Sequence, residues 1–237
     1  MNTIRKILIC LAAMTAAALI NSCEKDNTLQ YNNLTMGNIV NGVFISDQGN
    51  KFNIVGTDYP EGFMEWQRAF ILCDVLNKTA GGEANEYDIR LVQAVKVLTK
   101  DVVDQADVTD EMMTQDPIQI ENAWISGGYI NLFISFPTTP ESSASHLINL
   151  VHEGEYNFTL RHNAFGDKIQ PDQTADYVMA GGYVSFPLNT FITEKEADFS
   201  ISWTWYKSES AGLSSSTEVK TLKAKYTSEG FQHEPQD

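Results

Sequence analysis

The stretch "IQIENAWISGGYINLFISFP", residues 118–137, reads as two strands hinged on a pair of glycines. On the second strand Ile130, Leu132, Ile134 and Phe136 fall on one face, at the period-two spacing of a half-buried strand. Gly127 and Gly128 permit a corner between the strands that larger side chains would block. Downstream, the same pattern of a short strand followed by turn residues recurs in "HLINLVHEG", "EYNFTLRHN", "YVMAGGYVSFPL", "DFSISWTWYKS" and "TEVKTLKAKY". Within the fourth of these, Phe199, Ile201, Trp203 and Trp205 share one face, the mark of a strand packed on a core. Short strands punctuated in this way predict a β-sandwich over residues 116–230, followed by a disordered tail at 231–237.

Toward the N-terminus, the polar and acidic segment "DQADVTDEMMTQDP", residues 104–117, marks the domain boundary. Ahead of it, "GNIVNGVFISDQGNKFNIV" offers one strand from Ile39 to Ser46 and another from Phe52 to Val55, joined by the turn-like "DQGN". "RAFILCDVLNKT" adds a third. After "AGGEANE", the run "YDIRLVQAVKVLTKDVV" places Ile89, Leu91, Gln93, Val95 and Val97 on the face better suited to a core. Some five curled strands in about 80 residues suit a small barrel of the OB type, over residues 36–115. The expected fold class is therefore all-β: an N-terminal OB-like small β-barrel followed by a C-terminal β-sandwich.

The amino terminus states where the chain resides. Arg5 and Lys6 precede an apolar run from Ile7 to Ile20, the layout of a signal peptide over residues 1–22. That run is too short to span a bilayer comfortably. It ends in Leu19, Ile20, Asn21, Ser22 and Cys23, which resembles a bacterial lipobox, so Cys23 is the expected lipidation site and the first residue of the mature chain. Two or more acyl chains suffice for stable anchoring, which makes the membrane a partner without the chain crossing it. A polar tether over residues 23–35 follows. Its opening Glu24, Lys25 and Asp26 resemble the acidic signal that sends some Bacteroidetes lipoproteins to the cell surface, with a periplasm-facing position as the alternative.

Composition narrows the partners. Loss of residues 1–22 leaves 14 Lys plus Arg against 31 Asp plus Glu. A field of that sign repels phosphate backbones, so nucleic acid is excluded. With Cys10 in the signal and Cys23 lipidated, Cys73 is the one remaining thiol, expected buried and inert in "AFILCDV".

The lipobox, "GNIVNGVFISDQGNKFNIV", "QDPIQIENAWISGGYINLFISF" and above all "LRHNAFGD" (residues 160–167) resemble the NigD-like lipoproteins of Bacteroidetes. The order and spacing of these segments carry the likeness across nearly the whole mature chain. The resemblance implies an OB-like barrel followed by a β-sandwich, in agreement with the division above. The family takes its name from a gene in a bacteriocin locus, which implies an immunity-type role without defining an activity.

Candidate reaction centres are few. His152, Glu153, Glu155 and His162 could gather across a hairpin as zinc ligands. Against this, His152 and Glu153 point to opposite faces of a strand, and neither HExxH nor CxxC spacing occurs. Asp104, Asp107, Asp110 and Glu111 lack the spacing and glycine of an EF-hand loop. In "LRHNAFGDK", His162 could serve as a base oriented by Asp167, but no nucleophile elbow accompanies it. The competing reading has Asn163 and Gly166 shape the turn while Asp167 caps backbone amides. No metal or other cofactor is expected. For ligand contact, Tyr59, Phe63 and Trp66 in "TDYPEGFMEWQ" are the candidates, with a lid folded back on the barrel as their alternative use. The functional expectation is a lipid-anchored outer-membrane protein of the cell envelope with a non-catalytic binding or accessory role toward an envelope protein or a glycan. The alternative is an envelope enzyme acting on glycan through paired carboxylates.

Overall fold

The computed structural model describes residues 29–56, 60–167, 177–209 and 212–228. The signal segment, Cys23, Tyr59 and the tail at 231–237 lie outside them. Among the described residues, regular structure is strand except for 3₁₀ turns at Phe63–Glu65, Gln105–Asp107 and Asp110–Met113. None of their helices is long and apolar enough to cross a membrane. The chain divides into two compact units between Thr99 and Lys100.

The N-terminal unit holds β1 (Leu29–Val40), β2 (Val43–Ser46), β3 (Lys51–Ile54), β4 (Arg68–Lys78) and β5 (Glu86–Thr99). Antiparallel ladders join β1 to β2, β2 to β3, β1 to β4 and β4 to β5, and a parallel ladder joins β3 to β5, so the pairing returns on itself. Phe44, Phe52, Phe63, Ile71 and Ile89 fill its interior. Strand β1 starts at Leu29, within residues that the sequence reading gave to the tether. The expected single strand from Ile39 to Ser46 is two strands, because Asn41 and Gly42 turn the chain at φ +51° and +81°. An Asn-Gly pair adopts such angles at low cost, and it was the overlooked signal.

Two further features shape this unit. Arg68 forks onto Asp47, with Nη1 donating to Oδ1 (3.1 Å) and Nη2 to Oδ2 (2.9 Å), and Nη1 also reaches Asn38 Oδ1 (2.7 Å). Both charged side chains are buried, where a bidentate pairing offsets their desolvation. In β5 the register passes from Leu72 opposite Gln93 to Cys73 opposite Leu91, leaving Val92 as a bulge. That slip explains why Ile89 and Leu91 of the expected inner face are buried while Gln93 is exposed and Ala94 packs against the core in its place. Cys73 is buried on β4, and burial pushes its thiol up to about 11.

The C-terminal unit holds β6 (Val103–Asp104), β7 (Gln119–Ser126), β8 (Tyr129–Thr138), β9 (Leu147–Gly154), β10 (Asn157–Asn163), β11 (Val178–Pro187), β12 (Glu196–Glu209) and β13 (Gly212–Thr227). Here β11, β8 and β7 form one layer, and β13, β12, β10, β9 and β6 the other. Ile130, Leu132, Ile134 and Phe136 from the first layer pack with Phe158, Leu160, Ile201, Trp203 and Trp205 from the second. This is the sandwich read from the period-two pattern. The Gly127–Gly128 corner is a two-residue hairpin turn, both glycines at positive φ. Residues 100–104, which the sequence reading placed in the barrel, bond within this unit. Lys100 Nζ donates to Ile148 O (2.7 Å) and Asn149 Oδ1 (2.6 Å), and β6 pairs with β9. An acidic loop looked like a linker, but its flanking Lys100 and Val103 are already committed to the sandwich.

Adjacent glycines on β11 supply a matched test of this packing. A Cβ on Gly181 would meet Ile134 O at 2.1 Å, whereas one on Gly182 would meet nothing within 4 Å. Gly181→Ala is expected to lower the unfolding free energy by about 1–3 kcal/mol in urea titrations of the full chain, and Gly182→Ala to change it little.

Candidate functional site

The best-organised polar cluster closes one end of the sandwich. Strand β10 alternates Phe158, Leu160 and His162 into the core, so His162 is the last inward side chain before the turn at 163–167. From the facing layer, Phe136 on β8 packs over it, with ring centroids 4.8 Å apart. His146, just ahead of β9, stacks on Phe136 at 4.3 Å and on His162 at 5.0 Å. Asp167 ends the turn and faces the loop between β8 and β9.

Hydrogen bonds run through these groups as a chain. His162 Nδ1 lies 3.1 Å from Pro117 O, which can only accept, so Nδ1 carries a proton. Burial, and then the neighbouring His146, hold His162 down at about 4, so the ring is neutral at pH 7 and its Nε2 accepts. His146 Nδ1, 2.8 Å away, is the donor. The other nitrogen of His146 faces Asp167 Oδ2 at 3.3 Å.

Asp167 is well supplied with donors. Thr138 Oγ1 (2.5 Å) and the Ser142 hydroxyl donate to Oδ2, while the Thr139 amide (3.0 Å) and hydroxyl (2.8 Å) donate to Oδ1. Burial alone would raise its pKa, but the hydroxyls of Ser142, Thr138 and Thr139 with the Thr139 amide outweigh it and hold the carboxyl far below its usual range. Nearby, Asp116 accepts the Ala164 amide (2.9 Å) and donates its own amide to His162 O (2.8 Å). Tyr206 is pushed up to about 12 by burial and by Asp116.

The comparisons bear on this unit directly. The family model described as "NigD-like C-terminal beta sandwich domain" matches residues 101–220. The chain belongs to the NigD-like family. Solved structures repeat its fold. A candidate toxin-related protein from Parabacteroides distasonis aligns at 23% identity over 82% of this chain and 91% of its own, with TM-score 0.56. A protein of unknown function from Bacteroides vulgatus aligns at 20% identity over 84% and 95%, with TM-score 0.54. A candidate lipoprotein from Bacteroides fragilis aligns at 12% identity over 80% and 96%, with TM-score 0.53. No curated protein matches significantly.

In this NigD-like chain the residues singled out by sequence are dispersed. His162 and Asp167 do share a cluster, but His146 stands between them and takes the place of a direct base–carboxylate contact. Asp167 caps the amide of Thr139 across the sandwich end, not an amide of its own turn. His146, Phe136, Thr138, Thr139 and Ser142 were overlooked, since "TTPESSAS" reads as an undistinguished polar loop; its density of hydroxyls near a histidine was the available signal. The four proposed zinc ligands do not converge. His152 Nε2 meets Glu155 O at 2.7 Å, Glu153 pairs with Arg161 at 2.8 Å, and His162 belongs to the cluster above. Among the described residues, no group of three or more His, Cys, Asp or Glu is placed to hold a metal. Phe63 is fully buried and meets Trp66 edge-on at 5.3 Å. Trp66 is half-buried, and Tyr59 lies outside the described residues.

The His162 shift fixes a pH dependence. Its folded pKa lies below the ordinary 6.5, so its contribution is intact above pH 6.5 and is lost as pH falls toward 4. Urea midpoints measured from pH 7 to pH 4 are expected to fall by an amount equivalent to about 3 kcal/mol for this group. His162→Gln is expected to flatten that part of the profile.

Proposed function

We propose that the chain is a lipid-anchored, non-catalytic binding protein of the cell envelope, with an accessory or immunity-type role toward an envelope protein. The observation that carries this reading is the direction of the hydrogen bonds around the histidines. A general base must keep a lone pair for its substrate, and a nucleophilic hydroxyl must donate to that base. Here His162 Nε2 accepts from His146, and the Ser142 and Thr138 hydroxyls donate to a carboxylate. The cluster is committed to holding loops together.

Anchoring rests on the sequence "LINSC", residues 19–23, after the apolar run. The shared fold with the candidate lipoprotein from Bacteroides fragilis accords with it. In this reading residues 1–22 are removed, Cys23 carries the acyl chains at an outer-membrane leaflet, and the ring of ladders in the N-terminal unit is an OB-like barrel. The polar termini at 23–28 and 231–237 are tether and tail.

Fractionation of cells carrying the full chain tests the reading. The protein is expected in the membrane fraction with acyl groups on its N-terminal peptide by mass spectrometry, and Cys23→Ala is expected to move it to the soluble fraction. Retention of the unacylated Cys23→Ala form in the envelope contradicts the anchor. Release of sugar from envelope glycan by the purified protein, abolished by a carboxylate substitution, contradicts the non-catalytic role.

A further inference from the structure

The turn at 163–167 commits every polar group named below to the scaffold and leaves one large side chain with no such use. Asn163 Oδ1 accepts the Phe165 amide (2.9 Å), and Asn163 Nδ2 donates to Glu111 O (2.9 Å). Asp116 holds the Ala164 amide, and the Asp167 amide donates to Ala164 O (2.9 Å). Asp167 fixes the far end through Thr138, Thr139 and Ser142. Between these anchors Phe165 sits at φ +49° with 56% of its surface exposed. A bulky residue in the left-handed region is strained, and an exposed aromatic ring gains nothing from burial. Glycine would occupy this position without strain, as Gly166 does next to it at φ +90°. Strain and exposure together disfavour Phe165 in the isolated protein, and both are offset when another surface covers the ring.

A second apolar side chain lies on a segment tied to this turn. Met113, also 56% exposed, ends the 3₁₀ turn whose Glu111 carbonyl is held by Asn163. The loop held by Asp167 presents Glu141, exposed and at φ +65°, and the 3₁₀ turn presents the exposed Asp110 and Glu111. The segments 110–115, 139–145 and 163–167 contain no Lys or Arg. Apolar contact beside these exposed carboxylates selects its partner by charge. A second copy of this chain would bring the same carboxylates, and an anionic lipid surface would be repelled.

We infer that Phe165 and Met113 are the apolar anchors of a docking surface for a partner protein whose receiving pocket is bordered by lysine or arginine. The inference rests on the binding role proposed above and names the surface that performs it. Aromatic and thioether side chains suit the centre of such a contact, with the carboxylates as its rim.

Photo-crosslinking in the native envelope tests it, with p-benzoylphenylalanine placed at position 165 of the full chain and, as a control, at Val219, which is 68% exposed on β13. The expected result is an adduct from position 165 with one envelope protein, at a segment where basic residues adjoin apolar ones, and no such adduct from position 219. Its yield is expected to fall several-fold when Asp110→Asn, Glu111→Gln and Glu141→Gln are combined. Phe165→Gly is expected to lose that protein from detergent pull-downs while its thermal unfolding midpoint stays at or above that of the parent. Adducts only with lipid or a second copy, the same adduct from position 219, no protein adduct, or a yield indifferent to the charge changes would overturn the inference. Undiminished partner recovery by Phe165→Gly would overturn this surface and leave the binding role standing. A parent chain that retains no partner at all would remove the binding role itself.

Discussion

A buried carboxylate has to be satisfied where it stands, and Asp167 organises one end of the sandwich around that requirement. Its oxygens draw in the hydroxyls of Thr138, Thr139 and Ser142, the Thr139 amide and the His146 ring. An unpaired buried charge would cost several kcal/mol, so these contacts are obligatory once the turn at 163–167 folds against the loop between β8 and β9. The state of His162 follows from the same arrangement: buried beside His146 with Phe136 across it, the ring is most stable neutral. The cluster therefore does mechanical work, fixing two loops and the start of β9 to the apolar layers of the core.

The N-terminal unit meets the same requirement with different groups. Asp47 has a guanidinium fork from Arg68, while Asp167 relies on hydroxyls and an imidazole. The chain's composition makes the contrast intelligible. Acidic residues outnumber basic ones almost two to one, so arginine partners are scarce and Ser and Thr become the practical way to hold a carboxylate inside. The excess of carboxylates is accommodated at the surface, where water screens it.

Period-two alternation made the sandwich legible, because apolar side chains at alternate positions, as in Phe199, Ile201, Trp203 and Trp205 of β12, face the core and the pattern survives in the residue order. It was less faithful in β5, where the bulge at Val92 inverts which side chains point inward, and at Asn41–Gly42, where a two-residue turn interrupts what reads as one strand. The limits of the units were obscured because Lys100 and Val103 bond to partners on β9, close to 50 residues away. Of the polar cluster, "LRHNAFGD" was visible as a compact motif. Its other half in "TTPESSASH" was not, since a serine that satisfies a carboxylate and a serine in a solvated loop look alike until the chain has folded. Around Phe63 the reading was ambiguous for a related reason: neighbouring glycine and proline imply exposure, but the ring is buried in the apolar cluster of the N-terminal unit.

The position of Cys73 gives the molecule an internal clock. Cys10 lies in the segment expected to be cleaved and Cys23 is the residue expected to be acylated, which leaves the mature chain a single free sulfhydryl, sealed within the N-terminal unit. An alkylating reagent can reach it only during openings of the ladders around β4, so the rate of modification measures how often that unit breathes, separately from the sandwich.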